Sequence, residues 1–99
     1  MLIRIVRMTF QPEKVDDFLA IFHQSKYKIR NFEGCQHLEL WQDLDTPNVF
    51  TTHSHWQGAE ALEKYRHSDL FKTTWAATKI LFAAQPQAFS HSVRVKVSL

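Results

Sequence analysis

The sequence predicts a single α+β domain whose elements run β-α-β-β-α-β, and three observations carry that prediction. Four segments, at 2–10, 35–42, 49–56 and 88–99, show the two-residue alternation of strands. Between the first and second, and again between the third and fourth, apolar residues recur at helical spacing. Finally, 99 residues at 44% hydrophobic and 13% aromatic content suffice for one packed core, so residues 1–99 read as one domain.

Residues 2–10 are apolar on both sides, with Leu2, Val6, Met8 and Phe10 on one and Ile3 and Ile5 on the other. A strand apolar on both faces is buried on both. Pro12 opens the first helix where a missing N–H costs nothing. Glu13, Asp16 and Asp17 place negative charge near its start, while Lys26, Lys28 and Arg30 complement the dipole of its last turn. Val15, Phe18, Leu19, Phe22 and Ile29 form the core-facing stripe, and the helix ends near Asn31.

Asn31-Phe-Glu-Gly34 turns the chain into the second strand, which sets Leu38 and Leu40 against His37, Glu39 and Trp41. The segment from Asp43 to Asn48 is rich in turn-forming residues, so the third strand makes a hairpin with the second. Gly58 releases the chain into a helix carrying Ala59, Ala61, Leu62 and Tyr65. Ser68 and Asp69 read as the N-cap of a further helix, with Phe71, Trp75, Thr78 and Phe82 along one stripe. Beyond Pro86, residues 88–99 read as the last strand, Val93, Val95 and Val97 alternating against Arg94 and Lys96.

This order is the ferredoxin-like arrangement, a four-stranded antiparallel sheet with helices on one face. Apolar residues on the other face need a cover, and a second copy of the same sheet is the simplest one. The expected assembly is therefore a homodimer in which two sheets form a dimeric α+β barrel. A net charge of +2, without a broad basic stripe interleaved with aromatics, argues against nucleic acid as a partner. No segment approaches the roughly 20 apolar residues of a membrane span, and the first residues lack the apolar run of a signal peptide. With Cys35 the only cysteine, no intramolecular disulfide can form, and the expected location is the cytoplasm. Gly34 and Gly58 are the only glycines, too few for a phosphate-cradling loop, and no serine nucleophile elbow occurs.

His53 and His55 share one face of the third strand. Two imidazoles can begin a metal site, but the third ligand must come from elsewhere, and no HxxH, CxxC or HExxH spacing supplies it. A polar strand face or a dimer contact accounts for the pair without a metal, and none is expected. Either imidazole can also accept a proton near neutral pH. Tyr65 reads as a core aromatic or as a phenolic donor aimed into a pocket. Trp56, Phe71 and Trp75 are aromatics that can wall a ligand cavity, and Cys35 reads as a small core residue.

Phe32-Glu-Gly34-Cys35 at the entry to the second strand, Trp56 closing the third, then Glu60-Ala-Leu62, Ser68 and Phe71 follow one another in a distinctive order and spacing. In this the chain resembles the antibiotic biosynthesis monooxygenase family. The resemblance implies a dimeric α+β barrel, a pocket between sheet and helices, and oxygenation of small electron-rich phenols or quinols by O2 with no cofactor. Such chemistry needs a base for the phenolic proton, an apolar pocket and donors for the developing oxyanion. The implied roles fall to His53 or His55 as proton acceptor and Tyr65 as donor. Trp56, Phe71 and Trp75 would hold the ring of a small aromatic substrate, and Arg4 or Arg7, whichever points inward, would stabilise its anion. Ser54 stands where members often carry an acid, and Tyr65 and Leu70 stand where histidines are common. Haem-degrading relatives use an Asn, a Trp and an axial His where this chain has Val6, Tyr65 and Trp75, so haem is not expected. Two other functions suit the same barrel: a binding module for a hydrophobic metabolite, and an isomerase working by proton transfer alone.

Overall fold

The alternating segments form the sheet of the computed structural model, which describes residues 1–99. Strands β1 (Leu2–Thr9), β2 (Cys35–Gln42), β3 (Val49–Trp56) and β4 (Gln87–His91) pair antiparallel in the order β2-β3-β1-β4. Helices α1 (Val15–Arg30), α2 (Ala59–Arg66) and α3 (Asp69–Lys79) bury their apolar stripes against one face of that sheet. The result is the expected ferredoxin-like α+β fold. None of the helices is long and apolar enough to cross a membrane.

Local chemistry accounts for the joints. Pro12–Lys14 makes one 3-10 turn before α1 begins. At the other end of α1, the Arg30 guanidinium donates to the Cys35 carbonyl at 2.9 Å and ties the helix to the start of β2. The turn between them passes through Gly34 at φ +86°. A Cβ at Gly34 would lie 2.5 Å from the Ala61 Cβ of α2, so both conformation and space require glycine there. The Ser68 Oγ accepts from the Phe71 amide at 3.1 Å and donates to the Tyr65 carbonyl at 2.6 Å, joining the end of α2 to the start of α3.

The last strand is shorter than its alternation suggests. It pairs with β1 from Arg7↔Gln87 to Ile3↔His91, where only Leu2 of β1 remains beyond. Residues 92–99 continue past the sheet without regular structure, leaving Val93, Val95 and Val97 exposed. Alternation describes a segment able to form a strand, but a strand needs a neighbour to bond to.

Two buried clusters stand at opposite ends of the space between sheet and helices. Met8, Phe10, Phe18, Phe50 and Leu81 form one, with the Phe10 and Phe18 rings stacked at 4.1 Å. Cys35, Trp56 and Leu62 form the other. Phe10 and Trp56 are the most deeply buried large side chains, at 0% and 1% exposure. Each contributes about 2–3 kcal/mol or more by leaving water.

Candidate functional site

Between the two clusters lies a cavity of about 330 Å3, within the size range of small-molecule sites. Strand register decides what lines it. The rows Leu38–Ser54–Arg4–Ser90 and Leu40–Thr52–Val6–Ala88 run across the sheet on the side that faces the helices. A register shift between Cys35 and His37 turns Cys35 to that same side, where it is buried.

The aromatic wall is continuous. Trp56 stacks on Tyr65 at 4.8 Å, Tyr65 meets Phe71 edge-on at 5.2 Å, and Phe71 stacks on Trp75 at 5.8 Å. Trp56 is fixed by its indole N–H, which donates to the Ser54 Oγ at 3.0 Å. That bond explains Ser54: a buried indole needs an acceptor, and the neighbouring position on the same strand face supplies it.

The polar groups of the cavity are few. Arg4 enters from β1 and donates to the Ser90 Oγ at 3.0 Å. Burial, and then the nearby charge of Arg66, lower its guanidinium pKa, while Glu63 pulls it back up. Arg66 itself lines the cavity while paired with Glu63 at 2.9 Å. Two cations at one wall form a place for an anion. The Tyr65 hydroxyl bonds to no protein group, and no buried side-chain polar atom is left without a partner, so the hydroxyl opens to the cavity. Burial, followed by the nearby Cys35, pushes its pKa upward, so the phenol stays protonated and is a donor at any ordinary pH.

Tyr65, Trp56, Phe71, Trp75 and Arg4 line the one cavity. His53, His55 and Arg7 do not join them. They occupy the odd positions of β3 and β1 and project from the sheet face opposite the helices. Arg7 instead pairs with Asp43 at 3.8 Å. The cavity therefore contains neither an imidazole nor a carboxylate. Arg66 is the charged cavity residue that the sequence reading missed. Its only signal is its place immediately after Tyr65 at the end of α2.

The open face carries its own polar cluster. The His53 Nδ1 lies 3.0 Å from the Glu39 Oε1 and its Nε2 lies 2.9 Å from the His55 Nε2. The His37 Nε2 lies 3.3 Å from the Glu39 Oε2, and the Trp41 indole donates to the Glu39 Oε1 at 3.1 Å. Hydrogen bonds from His53, then Trp41 and His37, hold the Glu39 carboxyl down to about 2. Ile3, Ile5 and Phe89 share this face.

The family model for antibiotic biosynthesis monooxygenase matches residues 1–77. No curated protein matches the sequence. Among solved structures, an antibiotic biosynthesis monooxygenase superposes with a TM-score of 0.89 at 19% identity, over 94% of this chain and 98% of its own. A conserved protein from Methanosarcina mazei Go1 superposes at 0.86 with 23% identity, over 92% and 91%. A protein from Mycobacterium tuberculosis reaches 0.88 at 16% identity, over 98% of both chains. At these identities the structural likeness establishes the fold.

Proposed function

The chain belongs to the antibiotic biosynthesis monooxygenase family, and from that premise we propose that it is a cofactor-independent monooxygenase acting on a small aromatic quinol or phenol. The observation that carries the reading is the cavity, an aromatic slot with two guanidinium groups on one wall and a free phenol on another. The ring would lie among Trp56, Phe71 and Trp75. Arg4, with Arg66 beside it, would favour the substrate's phenolate by placing positive charge at the oxygen where negative charge develops. Tyr65, held neutral, would donate to an oxygen of the same substrate.

No side chain in the cavity can take the phenolic proton, so in this reading it leaves to solvent once the arginines have lowered the substrate's own pKa. The electron-rich anion then reduces O2. A quinol plus O2 gives a hydroxyquinone plus water, and the substrate supplies all four electrons. His53 and His55 have no part in this step. An isomerase finds no proton acceptor in the cavity, whereas a binding module needs none, and the missing base favours that second reading.

The open sheet face, with Ile3, Ile5, Trp41 and Phe89 uncovered by any helix, supports self-association as a homodimer. The single buried thiol fits a cytoplasmic setting.

Oxygen consumption with menadiol and dithranol, corrected for the autoxidation seen with heat-denatured protein, tests the proposal. Turnover should fall about tenfold or more in Arg4→Gln and in Tyr65→Phe, the loss of one hydrogen bond to a charged group. Arg7→Gln, on the other face, should leave it unchanged. Saturable quinol binding with no oxygen uptake above background would replace the oxygenase with the binding module.

A further inference from the structure

We propose that the open face of the sheet carries a metal site in which His37 and Glu39 of β2 and His53 of β3 bind one first-row divalent cation of the Zn2+ type. The ligand atoms of these three residues lie within 4.8 Å of one another. Bonds of roughly 2.0–2.2 Å in tetrahedral array put neighbouring ligand atoms about 3.3 Å apart. The two imidazoles already flank the Glu39 carboxylate, the His37 Nε2 at 3.3 Å from Oε2 and the His53 Nδ1 at 3.0 Å from Oε1. The third side joins the two rings, whose centres are 5.2 Å apart, and small rotations about their χ angles close it.

The donor set selects the ion. Two imidazoles and one carboxylate suit borderline divalent ions and leave a fourth position open. Each strand supplies its ligands because alternation keeps His37 and Glu39 on one face, and the β2–β3 register sets Glu39 directly opposite His53.

The groups that surround the ligands are those that orient a metal site. His53 meets Glu39 through Nδ1, the nitrogen placed for the ion, and its Nε2 rests against the His55 Nε2 at 2.9 Å. When the His53 Nε2–H donates to the His55 Nε2, Nδ1 is left for the ion and the ring angle is held. The Trp41 indole does the same for the carboxylate by donating to the Glu39 Oε1 at 3.1 Å. A ligand set in which the imidazole and the carboxylate each have a hydrogen-bonded positioning partner is the usual construction of a metal centre. Ile3, Ile5 and Phe89 border this cluster on the same face. Every ligand comes from one chain, so a dimer joined through this face would hold two such sites. The proposal does not rest on the function of the cavity.

Isothermal titration of chelator-treated protein with Zn2+ and, separately, with Co2+ tests it, the visible bands of Co2+ reporting coordination directly. The expected result is one saturable ion per chain. Binding should weaken about tenfold or more in Glu39→Gln, His37→Ala and His53→Ala, and by a similar factor in His55→Ala through lost orientation. His67→Ala is the control, because His67 faces Glu63 at 3.4 Å on the exposed side of α2 and offers the other obvious place for a loose ion. Circular dichroism confirms that each variant keeps its fold, and the near-isosteric Glu39→Gln keeps the test decisive if an alanine variant does not. The proposal is overturned if no saturable site appears, if folded Glu39→Gln binds as tightly as the parent, or if His67→Ala abolishes binding.

Discussion

Replacing Gly34 with alanine should destabilise the protein strongly, and the structure separates the reasons. At φ +86° a Cβ meets the neighbouring carbonyl, which costs about 1–2 kcal/mol. The same Cβ would sit 2.5 Å from the Ala61 Cβ, far inside ordinary contact, and overpacking of that kind costs about 1–3 kcal/mol. Alanine also restricts the unfolded chain, which returns about 0.4–1 kcal/mol. The net loss is about 2–4 kcal/mol, or roughly 10–25 °C in Tm for a domain of this size. Ala61→Gly alone should cost about 1 kcal/mol, since it puts glycine inside α2. Combined with Gly34→Ala it removes the clash but not the φ penalty. Urea unfolding of all four proteins at one concentration should then show a coupling of about 1–3 kcal/mol, the clash term, in favour of the double variant. Strict additivity would show that α2 does not press on the turn. A Gly34→Ala protein within about 0.5 kcal/mol of the parent would refute both parts of the reasoning.

Three further outcomes follow from single contacts. Ser68→Ala removes the N-cap of α3 and should cost about 1 kcal/mol in thermal or chemical denaturation, with Ser68→Asp recovering most of it. Trp56→Phe loses the buried bond to Ser54 and part of a tightly packed volume, for a cost of about 2 kcal/mol, whereas Tyr65→Phe should leave Tm unchanged because its hydroxyl has no partner in the fold. Because burial raises the native Tyr65 pKa above the ordinary tyrosine value of 10.0, the unfolded chain releases that proton first. Stability should therefore be independent of Tyr65 below about pH 10 and fall as pH rises beyond it, a decline that Tyr65→Phe removes when denaturation midpoints are followed through the alkaline range.

Much of the fold is legible in the sequence because it is written in short-range chemistry. Pro12, the turn residues from Asp43 to Asn48 and the Ser68 cap each act within a few residues of themselves, and β2, β3 and the start of α3 fall where those signals put them. The candidate site is harder because it depends on which sheet face the helices cover. β1 is apolar on both faces, so its alternation separates Arg4 from Arg7 without saying which one enters the cavity. His53 and His55 follow the same rule, and the helices cover the other side. The partnership of His53 with Glu39 is a matter of register across a hairpin, and no spacing along the chain reveals it. The tail at 92–99 shows the converse, a pattern fit for a strand in a place where only Leu2 of β1 remains.

The division of β3 between two faces restricts how this protein can change. Thr52, Ser54 and Trp56 belong to the cavity and Thr51, His53 and His55 to the open face, so six consecutive residues are all committed. Any one of them can be substituted and its effect felt on one side only. Insertion or deletion of a single residue near the turn before β3 is different in kind, because the strand would turn over. The imidazoles would enter the aromatic slot, Trp56 would be pushed out of the core, and both surfaces would be lost together. This strand can vary by replacement, but its length and phase are held from both sides.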